Sequence, residues 1–422
     1  MWGGKRASIL PSMNEDLTQG RQLLDLLDAD ATTVPALAAL DELAPGFSEL
    51  TVEFAFGRIF SRDGLDQQSR ELAIVAALCV LGRERQLAVH LGYALNLGCS
   101  RRELAEVLVQ LAVYGGWPVA VNGLATLRSV LDGRCSGSVS LGGGTRVTVL
   151  SDGTAPLPAA TFAAGLGDAE CREAESLLGT RLADPVDVHL NPAVVEHRGK
   201  LIVVDPGAGP ADVPSAQGLV APDQGGFLER FAAAGYRRED VDLVLLTHLH
   251  HDHAGVLALD PFPNAEIALG RAELDHWLQG GAFGAATLPP EVLDRLAAIA
   301  GEVAARIADR ARLLEDGEAV VDGLTAIAVP GHTPGQLAFT LEGADRSLLF
   351  AADTICHELL SVRFPGGGHV ADFDPGLGIA SRRRVLGLAN ERNLLVHGFH
   401  LSPPGLGMIA GGDGDWAWVT AN

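Results

Sequence analysis

The stretch LLTHLHHDHAG, Leu245 to Gly255, places four histidines and an aspartate within six positions, directly after an apolar run. The run DLVLLTH predicts a buried strand, and the loop after it can bring together His248, His250, Asp252 and His253. Imidazole and carboxylate groups suit Zn²⁺ and similar divalent ions, and a catalytic ion keeps one position open for water. The stretch therefore predicts a metal site at the end of a strand.

Two adjacent ions need further ligands from later in the chain. Three candidates stand at predicted strand ends before Gly- or Pro-rich loops: His332 in VPGHTPG, Asp353 in LLFAADT and His400 in HGFHLSPPGLG. An apolar run that ends in one aspartate is the pattern expected of a carboxylate that bridges two ions. We expect His251, which lies between ligands, to point away from the metals.

The later ligands complete a pattern that resembles the metallo-β-lactamase superfamily from about Thr145 to Asn422. The resemblance implies an αββα sandwich with the site at its strand ends. It also implies two ions, with Asp353 between them, held by His248, His250 and His332 on one side and by Asp252, His253 and His400 on the other. His397 is a rival for the last position, and His400 is preferred because it stands just before the P-G-L-G turn.

The flanking segments VTVLSDGTAPLPA and PFPNAEIALGRAEL resemble the branch of methyl parathion hydrolase and quorum-quenching lactonases. We expect two divalent ions, Zn²⁺ before Mn²⁺, Fe²⁺ or Co²⁺, that share a hydroxide for attack on a carbonyl or phosphoryl centre. Asp252 would also accept or deliver a proton. Such lactonases often add a tyrosine at the oxyanion, but every tyrosine here precedes the motif, so His357 is the predicted substitute.

The first third of the chain predicts helices instead, because apolar residues recur at three- and four-residue spacing, as in SRRELAEVLVQLAVYGG. Ser100 and Glu103 predict a capping box at the start of that helix. The region from about Asp16 to Gly133 resembles carboxymuconolactone decarboxylase and its alkylhydroperoxidase-D-like relatives, which implies an all-α bundle. Such bundles commonly form trimers or hexamers, so the resemblance also implies a homo-oligomer.

Cysteine content divides these helical relatives. In the peroxidase branch a C-x-x-C motif is followed by three residues and then a histidine. If His90 is that histidine, the two cysteine positions hold Arg83 and Gln86, which excludes dithiol chemistry. The decarboxylase branch needs neither thiol nor cofactor, so His90 is the predicted general acid, helped by Gln86 and by Glu71. Arg70 and Arg83 belong to a local excess of arginines that suits a carboxylated substrate.

Between the two regions, GRCSGSVSLGGGT predicts a flexible Gly/Ser linker. The predicted organisation is a tail at 1–15, a helical domain at 16–132, the linker at 133–144 and a hydrolase domain at 145–422. A formal charge of -22 disfavours nucleic acid as a partner. Apolar runs too short for a membrane, no recognisable signal peptide and five scattered cysteines predict a cytoplasmic protein.

These observations predict a multidomain enzyme, a binuclear metal-dependent hydrolase of a lactone or ester fused to a cofactor-free decarboxylase-like domain. A bifunctional enzyme would decarboxylate and then hydrolyse a small carboxylated lactone or ester. The alternative is a thioesterase or phosphotriesterase-type hydrolase whose helical domain is an oligomerisation scaffold. A third hypothesis keeps the metal but not hydrolysis, since members of the superfamily also oxygenate persulfides with one iron or reduce oxygen with two. No flavin-binding segment is visible, and the retained Asp252 and the later ligands favour two metals.

Overall fold

The computed structural model describes residues 13–28, 33–210, 224–412 and 414–421. The chain divides into two compact units, residues 1–134 with 232–236, and residues 135–231 with 237–422. Of the predicted N-terminal tail, residues 1–12 lie outside the described residues. The first helix begins at Met13, so the tail prediction is wrong for residues 13–15.

The first unit is helical, as predicted. Its helices are α1 (Met13–Leu27), α2 (Thr33–Ala38), α3 (Phe47–Thr51), the π-helix Val52–Phe60, α4 (Gln67–Val80), α5 (Glu84–Asn96), α6 (Arg101–Gly115) and α7 (Trp117–Asp132). The predicted capping box is present at α6, where the Ser100 side chain accepts from the Glu103 backbone N–H. Buried side chains that include Val75, Leu91 and Leu104 form the core of α4 to α7.

In the described residues the second unit has two seven-stranded sheets and a hairpin. Its strands are β1 (Gly137–Gly142), β2 (Thr145–Val149), β3 (Gly153–Pro158), β4 (Pro185–Leu190), β5 (Ala193–His197), β6 (Lys200–Val204), β7 (Leu243–Leu245), β8 (Glu266–Gly270), β9 (Ala311–Leu314), β10 (Ala319–Val321), β11 (Leu324–Ala328), β12 (Leu337–Glu342), β13 (Ser347–Phe350), β14 (Leu395–His397), β15 (Leu406–Ala410) and β16 (Ala417–Thr420). The sheet orders are β1-β2-β5-β6-β7-β8-β9 and β10 to β16 in sequence order.

The two sheets enclose one apolar core, in which Val195 and Ile202 of the first sheet cluster with Phe339 and Leu348 of the second. The helices of the later chain are α8 (Asp168–Leu178), α9 (Phe227–Ala233), α10 (His251–Ala254), α11 (Arg271–Leu278), α12 (Pro290–Ile307), α13 (Leu360–Arg363) and α14 (Pro375–Glu391). Helix α14 packs on the second sheet through Val385 and its neighbours. This arrangement confirms the predicted αββα sandwich.

The segment predicted as a flexible linker is partly a strand. Residues Gly137–Gly142 form β1, which pairs antiparallel with β2, and Leu141 is fully buried in the core between the sheets. Three glycines with positive φ, Gly142, Gly143 and Gly144, form the turn between the strands. The linker prediction over 133–144 is therefore wrong for these residues, because the glycines serve a tight turn and the alternating residues before them pair in a sheet.

Strand direction explains where functional side chains gather. Strands β6, β7 and β8 are parallel, β13 is parallel to β14, and β11 runs the same way as β13 across the intervening antiparallel β12. The loops that leave β7, β11, β13 and β14 therefore start from the carboxyl ends of their strands. The predicted ligands lie in these four loops. Within the described ranges, no helix is long and apolar enough to cross a bilayer.

Candidate metal centre

The seven predicted ligands meet at one place. Their donor atoms form overlapping groups within 4.8 Å, namely His248 with His250 and His332, His248 with His253 and Asp353, and Asp252 with His253 and His400. Six of the seven side chains are buried, and Asp252 is 20% exposed. The first and third groups match the two ligand sets that the sequence resemblance implies, and the second group connects them through Asp353.

Asp353 lies between the two groups. Its Oδ2 is 3.2 Å from His332 Nε2 and 3.3 Å from His400 Nε2, while Oδ1 is 3.2 Å from His253 Nε2. The carboxylate thus faces one ligand of the first group and two of the second. This is the position that a bridging carboxylate requires.

The donor set fits a divalent cation. The Nε2 atom of His248 is buried and has no hydrogen-bond partner among the described residues, and such an atom costs free energy unless something binds it. Ring nitrogens also face each other, with His332 Nε2 2.9 Å from His250 Nδ1 and His253 Nε2 3.3 Å from His400 Nε2. Converging imidazole nitrogens and carboxylates are ligands that Zn²⁺ accepts.

The charge state of the cluster supports the same conclusion. Burial and neighbouring imidazoles hold the pKa of His248 and His250 well below the usual value, so both rings present lone pairs. Burial also lowers the pKa of His332, but the carboxylates of Asp353 and Asp372 outweigh it and raise that pKa to about 9. The buried carboxylates therefore draw positive charge into the cluster, which a bound cation would supply.

Two aspartates that sequence reasoning missed orient the ligands. His253 Nδ1 donates to Asp205 Oδ2 at 2.9 Å, and His332 Nδ1 donates to Asp372 Oδ1 at 2.9 Å. Each bond fixes the tautomer whose Nε2 lone pair faces the cluster, which is how outer carboxylates tune metal ligands. Asp205 also follows an apolar run, LIVVD, which was an available signal, whereas nothing in the sequence around Asp372 indicates its role.

Glu273 on α11 fastens two ligand loops together. Its Oε1 accepts from Leu249 N at 2.9 Å and Trp277 Nε1 at 2.8 Å, and its Oε2 accepts from Thr333 Oγ1 at 2.6 Å and Gly335 N at 3.2 Å. The carboxylate is fully buried and joins the loop of His248 and His250 to that of His332. Gly335 allows this approach, because a Cβ there would lie 1.9 Å from Glu273 N.

Three other histidines have different surroundings. His251 belongs to none of the donor groups, and its Nδ1 lies 3.6 Å from Asp252 Oδ1. His397 is buried, and its Nε2 donates to Asn191 O at 2.9 Å, so His400 and not His397 belongs to the donor groups. His357 Nδ1 accepts from the backbone N–H groups of Leu359 and Leu360 at the start of α13.

A cavity of about 520 Å³ opens onto the cluster. Five ligands reach its wall, together with His251 and His369, and most of the remaining wall is apolar, with Leu157, Phe162, Val188, Phe283, Leu288, Val292 and Leu296. No lysine, arginine or His357 is among the described lining residues. The Nδ1 of His357 is used by the backbone at the start of α13, and contact of this residue with the substrate stays a prediction.

The helical unit has a smaller polar cluster. Glu71 is fully buried, and its Oε2 lies 2.7 Å from His90 Nδ1, while its Oε1 has no hydrogen-bond partner among the described residues. Gln86 is exposed and makes no hydrogen bond to His90. Arg70 Nη2 donates to the Arg62 and Leu65 carbonyls, and Arg83 is exposed. The structure thus brings together Glu71 and His90 alone of these predicted residues.

Comparison with known proteins assigns both units. Residues 45–129 match the carboxymuconolactone decarboxylase family, and residues 188–395 match the metallo-beta-lactamase superfamily. The chain is a fusion of these two families. The predicted fusion is therefore confirmed, and the second unit is a metallo-beta-lactamase hydrolase domain.

Individual relatives agree with this assignment. The chain is 34% identical over 85 residues to 4-carboxymuconolactone decarboxylase of Acinetobacter baylyi, a match of 20% of this chain and 63% of the relative. It is 26% identical over 151 residues to the N-acyl homoserine lactonase of Bacillus cereus, or 36% of this chain and 52% of the relative. The chain thus spans less than two thirds of either relative.

Among solved structures, the dizinc quorum-quenching lactonase AidC superposes with a TM-score of 0.60 at 23% identity. The superposition covers 68% of this chain and 97% of AidC. At this identity the likeness shows a shared fold.

Proposed function

We propose that the fusion protein hydrolyses a neutral lactone or ester with an apolar acyl group at two divalent metal ions, Zn²⁺ first among them. The observation that carries the proposal is the apolar cavity whose wall includes five of the seven convergent ligands. The relatives named as lactonases support the same reaction class. Thioester and phosphotriester hydrolysis remain alternatives at the same site, since the same chemistry attacks an acyl or phosphoryl centre.

Each ligand group would bind one of the two ions. His248, His250 and His332 would hold one ion, Asp252, His253 and His400 the other, and Asp353 both. When bound, the ions supply an activated water and polarise the substrate. Asp205 and Asp372 hold the ligand imidazoles in place, and the apolar wall excludes bulk water. Asp252, which reaches the cavity and is the most exposed ligand, would move a proton to the leaving alkoxide.

The cavity wall bears on substrate charge. A carboxylate moved from water into an apolar site costs several kcal/mol unless a cation pairs with it. The described wall offers no lysine or arginine, and the sequence of residues 211–223 contains neither. A carboxylated substrate, as expected from the sequence, is therefore disfavoured here. Decarboxylation and hydrolysis would follow one another only for a lactone whose sole carboxylate has already left as CO2.

A second activity in the helical unit rests on the Glu71–His90 pair. Loss of CO2 leaves an electron pair on the substrate, and a general acid must then return a proton to carbon. His90 is 16% exposed, and its ring is held by Glu71, Tyr93 and Phe60. The pair therefore has a buried carboxylate to orient the imidazole and a ring that reaches solvent, which suits proton transfer.

The helical unit is also the proposed site of homo-oligomer formation. Several of its large apolar side chains are exposed, including Val113 at 82%, Tyr114 at 81% and Trp117 at 74%. These three lie together at the junction of α6 and α7. Apolar surface of this kind typically marks contact with another protein, and symmetric self-association is the commonest form of it.

A substrate series tests the proposed hydrolase. Neutral lactones and aryl esters with lengthening acyl chains are compared with carboxylated analogues, thioesters and aryl phosphotriesters, with and without a chelator. Each CH₂ that enters the cavity should raise kcat/KM about fourfold, equivalent to ~0.8 kcal/mol, until the cavity is full. Chelation should abolish turnover. Preference for the carboxylated analogues would contradict the proposed substrate class.

A further inference from the structure

The cavity wall contains His369, which no sequence pattern indicates and whose donor atoms form a separate group with those of His332 and Asp372. His369 lies in the loop between α13 and α14, lines the cavity, and packs edge-on against the ligand His332 with ring centroids 5.1 Å apart. Its other ring contact is Phe162, at 5.4 Å. The imidazole therefore stands beside the metal cluster on the side that substrate approaches.

The hydrogen bonds of His369 determine which nitrogen carries the proton. Its Nδ1 accepts from the backbone N–H of Ala371 at 3.0 Å, so this nitrogen must present a lone pair. The proton of the neutral ring is then on Nε2. In the described part of the chain, no residue hydrogen-bonds to Nε2. The cavity thus holds a fixed N–H donor that no described protein acceptor uses.

The loop that carries His369 is rigidly held. The backbone N–H of His369 donates to Asp372 Oδ2 at 2.8 Å. The backbone N–H of Val370 donates to Thr161 O at 3.0 Å, and the Val370 carbonyl accepts from the Thr287 N–H at 2.8 Å. The buried guanidinium of Arg382 donates to Thr354 O at 2.7 Å and also contacts Gly367 O. A donor fixed before substrate binds costs no reorganisation when charge develops, which is the condition for oxyanion stabilisation.

We propose that His369 is a catalytic residue whose Nε2–H donates a hydrogen bond to the carbonyl oxygen of the substrate, where negative charge collects during attack. This proposal rests on the proposed hydrolase function. The proposed donor lies between Phe162 and the ligand His332. It would take the role that was predicted for His357 and that a tyrosine often has in similar lactonases, since the sequence has no tyrosine after the metal motif. His251, the other wall histidine outside the ligand set, differs because its Nδ1 lies 3.6 Å from the Asp252 carboxylate.

The test compares His369→Phe, which keeps a ring but removes the donor, with His369→Gln, whose amide restores an N–H. Loss of one such donor typically lowers kcat about 10²–10³-fold, and we expect this for His369→Phe on lactones and aryl esters alike. KM should change little, and His369→Gln should recover part of the loss. His197→Gln, at a buried histidine bonded to Thr145 and Asp322, is the matched control and should keep wild-type kcat.

Two further measurements separate this role from others. By elemental analysis, His369→Phe should bind as much metal as wild type, whereas loss of an ion would show that His369 is a ligand and would overturn the proposal. By calorimetry, His369→Phe should bind an alkyl phosphonate, which resembles the attacked state, far more weakly, while binding of an unreactive lactam changes little. Equal weakening of both would show a structural role and would also overturn it.

The outcomes distinguish the two levels of inference. If wild-type protein with two ions hydrolyses neither lactones nor esters, the proposed function itself fails. If wild type hydrolyses them and the folded His369→Phe variant, checked by its circular dichroism spectrum, retains kcat within about twofold, only the assignment of His369 fails.

Discussion

The metal cluster and the Glu71–His90 pair are both buried carboxylate–imidazole arrangements, but they differ in how much of their surroundings one chain supplies. In the cluster, outer partners such as Asp205, Asp372 and Glu273 fix the ligand loops, and a cavity of about 520 Å³ leads to the ligands. In the helical unit, one oxygen of Glu71 has no partner among the described residues. Its neighbouring pocket, of about 320 Å³, is lined by Tyr93 and other residues but not by His90.

The two units also differ in how many large apolar side chains they expose. Most of the exposed large apolar side chains of the described residues belong to the helical unit, and those of the second unit are fewer and scattered. A buried polar atom without a hydrogen-bond partner lowers the stability of the fold by about 1–3 kcal/mol. Exposed apolar side chains are stabilised when contact with another protein removes them from water. The arrangement of the metal cluster can therefore be derived from one chain, whereas the helical unit leaves a buried carboxylate oxygen without a described partner and much of its apolar surface exposed.

The largest expected effect is at Asp353, and it tests whether the cluster is one unit. Asp353→Ala removes the carboxylate that faces both ligand groups, so both ions should be weakened. Metal content should fall from about two ions per chain to below one, with no measurable hydrolysis. The measurement is elemental analysis alongside ester turnover. Asp322→Ala, at an exposed aspartate, should change neither quantity, and loss of only one ion from Asp353→Ala would contradict the bridging role.

The next effect tests the helical site. Glu71→Gln weakens the partner of the His90 ring, and His90→Ala removes the proposed acid. CO2 release from carboxylated lactones should slow by about 10²–10⁴-fold in His90→Ala, because that is the usual contribution of a general acid. Ester hydrolysis should be unchanged, and chelation should give the opposite pattern. If neither substitution affects any decarboxylation, the helical unit is a scaffold.

The sequence revealed the parts of the site whose chemistry is local. His248, His250 and His253 stand within six positions of one another, and Asp353 ends an apolar run, so residue type and strand position were enough. The roles of Asp372 and Glu273 arise from contacts with residues 40 and 60 positions away, which no local pattern contains. His357 was predicted from nearness in sequence to Asp353, but the turn into α13 uses its ring nitrogen.

A smaller effect is expected at Glu273, and it measures how far the loops depend on their outer support. Glu273→Gln replaces one carboxylate oxygen, an acceptor, with an NH₂ group, a donor. In one orientation of the amide the NH₂ faces the backbone N–H of Leu249, and in the other it faces that of Gly335, so one hydrogen bond is lost in either case. Outer partners of metal sites typically contribute 10–100-fold in affinity, so we expect a loss of that size in a competitive zinc titration. Glu315→Gln, at an exposed glutamate, is the control. Unchanged affinity would show that the loops hold without this carboxylate.

The smallest effect concerns the boundary between the units. A fragment that starts at Cys135 keeps β1, whereas one that starts at Thr145, the predicted boundary, loses β1 and exposes the core around Leu141. Loss of one buried leucine side chain costs about 2–5 kcal/mol, so the shorter fragment should melt at least several degrees lower. Both fragments should retain the ligand loops and hydrolysis at low temperature. Equal melting temperatures would show that β1 adds nothing to the sheet, and inactivity of a folded, metal-loaded longer fragment would show that the hydrolase site needs the helical unit.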